Sequence, residues 1–146
     1  MDRNLIVENL WIGREPERQE CRDPVGNVDL LVLCYAEGNS KHEGQRFQGR
    51  DFKVYRALFW DDQRTLREED KQIVLDAGQF VASYLMEEHS VLVTCHMGLN
   101  RSGLVAARAI HEWTGIPGRE CVSIVRRRRP GALFNPAFAA WAESWK

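Results

Sequence analysis

The chain has 146 residues, of which 44% are hydrophobic and 28% charged, and its formal net charge is −1. That length carries one well-buried core and leaves little room for a second domain, so residues 1–146 are expected to form one catalytic-sized unit. The near-neutral charge excludes a global attraction to nucleic acid or to a membrane surface, and any anion site has to be built locally. The opening MDRNLIVENLWIG reads neither as a signal peptide nor as a membrane span, and no run of about 18 apolar residues follows it, so the expected location is the cytoplasm. Cys21, Cys34, Cys95 and Cys121 are too scattered for a zinc-type ligand set and are expected as thiols in a reducing compartment.

In chain order, short apolar strands are predicted at LIV (5–7) and LWIG (10–13), then a nearly continuous apolar one at DLLVLCY (29–35). Such unbroken apolarity suits a strand covered on both faces. FKVYRALF (52–59) and SVLVT (90–94) complete the set, and the polar stretches 14–27 and 36–51 read as loops or a short helix. Between the last two strands, apolar residues at 73, 74, 77, 80, 81, 84 and 85 form one stripe, which predicts an amphipathic helix within 66–89. Its acidic first turn suits the positive end of the helix dipole. Further helices are predicted at 102–115, closed by a glycine; at 118–129, stopped by Pro130 with cations at its C-terminal end; and at 135–145. Strands alternating with helices imply an α/β fold with a mostly parallel twisted sheet flanked by helices on both faces.

The segment VLVTCHMGLNRSG (91–103) carries the chemistry. With SVLVT as a strand and RSGLVAARAI as a helix, residues 95–101 become the connecting loop. A helix start presents unpartnered N–H groups and a partial positive charge. A loop turning through Gly98 can point successive N–H groups inward as an anion nest. Arg101 adds a planar guanidinium able to grip two oxygens of a tetrahedral oxyanion. At the base of that nest, the same field favours the thiolate of Cys95 and makes it a nucleophile. The parts describe one task, which is to hold a phosphate while sulfur attacks phosphorus. His96, Met97, Gly98, Leu99, Asn100 and Arg101 are then the substrate-binding loop.

Expelling an alkoxide or phenolate needs a proton. LFWDDQRT (58–65) follows a strand and precedes the long helix, and both Asp61 and Asp62 qualify as donors, with Trp60 as a hydrophobic hinge beside them. His42, His89, His96 and His111 are too scattered to suggest a metal site. The remaining tryptophans read as core and helix-docking residues. The run Arg126 to Arg129 reads as a solvated helix end, with a second possibility that one arginine faces the site and attracts anionic substrate. Cys34, ending DLLVLC, is expected near Cys95, where it could capture an oxidised Cys95 as a disulfide.

VLVTCHMGLNRSG resembles the Cys-x5-Arg-Ser/Thr signature loop of the cysteine-dependent protein tyrosine phosphatases, and the small size and flanking pattern resemble most the dual-specificity branch. NLWIG, VDLLVLCYAEG, FKVYRALFWDD and IVRRRRPGALFNPAF extend the resemblance over nearly the whole chain. It implies a cysteinyl-phosphate intermediate with Cys95 as nucleophile and Arg101 as clamp, no metal and no cofactor. It places the general acid on Asp62, and on Ser102 a hydrogen bond to the departing thiolate. One position departs from the pattern: Thr94 stands where the family has His before the nucleophile, and its hydroxyl could instead serve the loop backbone. The implied substrate is a phosphorylated protein or peptide, phosphotyrosine with or without phosphoserine and phosphothreonine. An RNA 5′ end is the alternative, because GLNRSG shares an Asn before Arg with RNA 5′-phosphatases. A phosphate-binding pseudophosphatase is the non-enzyme alternative.

Overall fold

A computed structural model of the chain describes residues 2–15, 28–35 and 53–146. The loops read at 14–27 and 36–51 therefore lie outside the described residues apart from Arg14 and Glu15, as do Cys21, His42 and Phe52.

Five strands form one sheet: β1 (Arg3–Val7), β2 (Leu10–Arg14), β3 (Leu30–Leu33), β4 (Lys53–Arg56) and β5 (Val91–Cys95), in the order β1-β2-β5-β3-β4. The β1–β2 edge is antiparallel, and the other three pairings are parallel. Glu8 and Asn9 make the hairpin turn, with Asn9 at φ 68°, a left-handed conformation that asparagine tolerates better than most residues. Every residue of β3 and β5 is buried, as strands shielded on both faces require. β4 leaves the ladder after Arg56, earlier than its apolar run suggests. Ala57 makes one last bond to the Leu33 carbonyl (2.9 Å), and the chain then turns away along the C-terminal edge of the sheet.

Four helices follow: α1 (Glu68–Met86), α2 (Arg101–Thr114), α3 (Gly118–Arg128) and α4 (Pro136–Glu143). α1 buries Val74, Ala77, Val81 and Leu85 along one stripe and packs closely on α2. At Gly78 an added Cβ would lie 2.4 Å from the Cγ of Arg108 on α2, so the crossing depends on the missing side chain. α1 is shorter than its sequence pattern because Glu88 turns left-handed at φ 62° and folds the chain back toward β5. α2 starts one residue early, at Arg101, and Gly115 caps it at φ 76°. α3 ends before Arg129, whose backbone (φ −124°, ψ 87°) has left the helix. Asn135 lies outside α4 as its N-cap, accepting from the Ala137 and Phe138 N–H groups, with Pro136 at the first helical position. Leu104, Ile110, Leu133 and Phe138 fill the space between helices and sheet.

Candidate active site

β5 lies in the middle of the sheet and α2 runs from its C-terminal end, so Cys95 closes the strand and Arg101 opens the helix, as the sequence spacing requires. The carboxyl ends of parallel strands are where α/β sheets build ligand sites. Cys95 is 3% exposed, and its Sγ is 3.2 Å from the Oγ of buried Ser102. Arg101 is 6% exposed, with Nη1 donating to the Phe59 carbonyl at 3.4 Å.

Backbone accounting shows how the loop is held. The Thr94 carbonyl accepts from Cys34 N–H (2.8 Å), that of His96 from Glu15 N–H (3.4 Å), and that of Leu99 from Leu133 N–H (3.1 Å). Arg129 donates to the carbonyls of Gly98 (2.9 Å) and Met97 (3.2 Å). Successive carbonyls are thus engaged by groups outside the loop. In a trans peptide the N–H points opposite to its carbonyl, so the loop N–H groups are turned the other way. Gly98 makes the turn at φ 70°, and a Cβ there would lie 2.4 Å from the Gly13 carbonyl carbon. Only glycine suits both the conformation and the contact.

The two aspartates differ. Asp61 accepts from Asn100 Nδ2 at 3.0 Å and from Asn135 Nδ2 at 2.6 Å, so both of its oxygens are tied to neighbouring amides. Asp62 is exposed, and among the described residues its carboxylate accepts only a local bond, from Arg64 N–H to Oδ1 at 2.8 Å. Asn135 Nδ2 also donates to the Asp62 carbonyl (3.0 Å), and Asn135 N–H donates to Asn100 Oδ1 (2.9 Å). One buried asparagine thereby joins the 95–101 loop, the acidic loop and the start of α4. Sequence reasoning missed this node and read Asn135 only as helical; the Asn-Pro helix start was its one visible sign.

Two further expectations are corrected. The Thr94 hydroxyl does not serve the loop backbone but donates to the Val32 carbonyl of β3 at 2.8 Å, because the strand buries both its faces. The four-arginine run is not uniformly a solvated helix end: Arg126, Arg127 and Arg128 are exposed, whereas Arg129 is buried behind the loop. His96 is exposed, with Nδ1 3.4 Å from Glu15 Oε2, so its ring lies against a carboxylate outside the loop. Cys34 lies one residue beyond β3, beside Thr94, and Cys34, Cys95 and Cys121 are free thiols. Burial pushes the Cys34 thiol well above its ordinary range, neighbouring Cys95 adds to that, and Arg101 opposes it. Among the described residues no group of three or more His, Cys, Asp and Glu side chains gathers as a metal site, and no helix is long and apolar enough to cross a membrane.

No known family model matches the chain, and no curated protein matches it by sequence. Solved structures do match its fold. Tk-PTP in its active form is 22% identical with a TM-score of 0.80, over 97% of this chain and 96% of that one. Human DUSP28 is 18% identical with a TM-score of 0.74, over 98% of this chain and 91% of that one. PTPMT1 is 16% identical with a TM-score of 0.78, over 97% of this chain and 91% of that one. The chain therefore has the fold of the cysteine-dependent tyrosine phosphatases, in its small dual-specificity-like form.

Proposed function

We propose that the protein is a metal-independent cysteine phosphatase that hydrolyses phosphotyrosine, with or without phosphoserine and phosphothreonine, in proteins. The observation that carries the reading is the strand–loop–helix cradle: buried Cys95 at its base, buried Arg101 at the helix start, and loop carbonyls engaged from outside. Such a cradle suits a tetrahedral dianion, which the loop N–H groups and the guanidinium bind together.

In the first step the Cys95 thiolate attacks phosphorus, and the P–O bond to the leaving group breaks as Asp62 gives that oxygen its proton. In the second, the Asp62 carboxylate takes a proton from water, the hydroxide formed attacks phosphorus, and the S–P bond breaks. The thiolate then leaves toward the Ser102 hydroxyl, 3.2 Å away. Asp62 suits the donor role because its carboxyl needs to break only a local bond to swing over the loop, whereas Asp61 would have to release two amides.

The surroundings favour an aromatic leaving group. Leu58 and Trp60 flank Phe59, whose carbonyl meets Arg101; Met97 is in the loop; and Phe134 adjoins Asn135. All four side chains are exposed. Exposed apolar side chains that adjoin site residues offer binding surface. The asparagine before Arg101, which motivated the RNA alternative, is accounted for by its bonds to Asp61 and Asn135.

The test compares kcat/KM on a phosphotyrosine peptide, a phosphoserine peptide, a phosphoinositide and a 5′-triphosphorylated RNA. The phosphotyrosine peptide is expected to be the best substrate, Cys95→Ser to bind it without turnover, vanadate to inhibit and EDTA to have no effect. Full activity in Cys95→Ser would refute the mechanism. Preference for RNA or lipid would refute the substrate, and binding without turnover by the unaltered protein would leave a phosphate-binding pseudophosphatase.

A further inference from the structure

Arg129 closes the run of four arginines, yet only 5% of its surface is exposed. A buried cation is costly unless its donors are satisfied, and here the guanidinium makes five bonds. Nε donates to the Gly98 carbonyl at 2.9 Å and Nη2 to the Met97 carbonyl at 3.2 Å. Nη1 donates to Asp2 Oδ1 and to Asn4 Oδ1, each at 2.8 Å, and Nη2 to Asp2 Oδ2 at 3.2 Å. A guanidinium has five N–H donors, so this environment matches its capacity. One edge faces the loop, and the other is neutralised by the start of the chain.

We infer that Arg129 is a positioning residue for phosphate binding: it holds the Met97 and Gly98 carbonyls on the outer side of the loop, which presents the N–H groups of Gly98 and Leu99 to the anion. Peptide planarity links the two directions, since the N–H of Gly98 opposes the carbonyl of Met97 and the N–H of Leu99 opposes that of Gly98. Two successive carbonyls converge on one cation because Gly98 is left-handed at φ 70°, the backbone alternation that forms an anion nest. Without the cation, those peptides lose their outward partner and can rotate, which would aim carbonyl dipoles at the phosphate. Preorganised donors are worth most when they need no rearrangement on binding. Arg126 does not duplicate the role: its Nη2 donates to the Leu133 carbonyl at 2.7 Å.

The inference rests on the phosphatase reading, and a binding assay separates the two. Tungstate binding to the full chain is measured by calorimetry, with thermal stability and kcat and KM on an aryl phosphate alongside. Arg129→Met is expected to weaken tungstate binding about tenfold and to raise KM more than it lowers kcat, as loss of two charge-assisted bonds to the loop implies. Arg129→Lys should recover part of this, because an ammonium keeps the charge but not the fork. Asp2→Asn combined with Asn4→Ala should lower thermal stability yet leave tungstate affinity within about twofold, because the inner bonds of Arg129 remain. Native tungstate affinity in folded Arg129→Met would overturn the inference. If that variant does not fold, native affinity in Arg129→Lys would overturn it. Equal loss of affinity in the Asp2/Asn4 variant would also overturn it, since Arg129 would then act only by anchoring the chain start. Failure of the unaltered protein to bind tungstate would overturn the phosphatase reading as well.

Discussion

Asn135 offers a test in which stability and activity are separable. Its side chain is fully buried and makes four bonds: Oδ1 accepts from Ala137 N–H at 2.9 Å and Phe138 N–H at 3.1 Å, while Nδ2 donates to Asp61 Oδ1 at 2.6 Å and the Asp62 carbonyl at 3.0 Å. Loss of the helix cap costs about 1 kcal/mol. The bond to the Asp62 carbonyl is worth about 1 kcal/mol, and the bond to the Asp61 carboxylate about the same once its solvent exposure is discounted. Asn135→Ala should therefore destabilise the fold by about 3 kcal/mol, a fall in Tm of roughly 6–12 °C at this chain length. Asn135→Ser keeps a capping oxygen but cannot reach the acidic loop, so it should lose about 1 kcal/mol less. Urea unfolding at matched m-values measures the difference. Both variants should slow hydrolysis of a phosphotyrosine peptide more than that of an aryl phosphate whose leaving group needs no proton. Equal stability of the Ser and Ala variants would refute the capping argument. Equal slowing of both substrates would refute the claim that Asn135 positions the acidic loop.

Asp62→Asn should slow turnover of a poor leaving group by about 10²–10⁴-fold and abolish the alkaline limb of the pH–rate profile; Asp61→Asn, which turns an amide of its own on one of two amide donors, should cost stability and some rate but keep that limb, and an exchange of these behaviours would move the acid by one residue. Gly98→Ala should lose both stability and phosphate-ester binding, because its Cβ would meet the Gly13 backbone at 2.4 Å; a crystal structure with the loop unmoved and native activity would contradict this. The hydrogen bond from Arg129 chiefly, opposed by partial burial, holds the Asp2 carboxyl below its ordinary 3.8. A group with a lowered folded pKa stabilises above its unfolded value and loses that contribution as pH falls through the folded one. Asp2→Asn should therefore reduce Tm at pH 6 and have an effect that shrinks as the pH falls below 3.8; an undiminished reduction in acid would count against the pair. Mild peroxide should convert Cys95 to sulfenic acid, whose hydroxyl leaves as water when the Cys34 thiol attacks, forming a disulfide. Mass spectrometry showing over-oxidised Cys95 with Cys34 still a thiol would mean that burial of Cys34 prevents the capture.

The placement of Cys95 and Arg101 was legible because their relation is local. Five residues separate Cys95 from Arg101, and a strand entering and a helix leaving suffice to set the loop between them. The first helix was legible from its apolar periodicity and the others from their glycine, proline and charged ends, all short-range signals; two of the ends moved where the backbone leaves the helix, at Glu88 and Arg129. The hairpin turn at Glu8 and Asn9 is also a short-range property, a two-residue polar break between the apolar runs LIV and LWI.

What surrounds the loop was decided by tertiary structure. Asn135 reaches Asp61 across 74 positions, and Arg129 reaches Gly98 across 31 and Asp2 across 127. Four identical arginines have identical intrinsic preferences, so composition and periodicity cannot say which one turns inward. The helix ending at Arg128 does, by releasing the next residue into an extended backbone that points its guanidinium behind the loop. The sheet order is of the same kind: β5 enters between β2 and β3, which buries Thr94 on both sides and sends its hydroxyl to Val32 instead of to the loop. Local chemistry wrote the strand–loop–helix of 91–103 into consecutive residues; hydrogen-bond partners for its outward carbonyls came from segments that only folding brings within 3 Å or so of it, because those groups must be satisfied wherever the chain buries them.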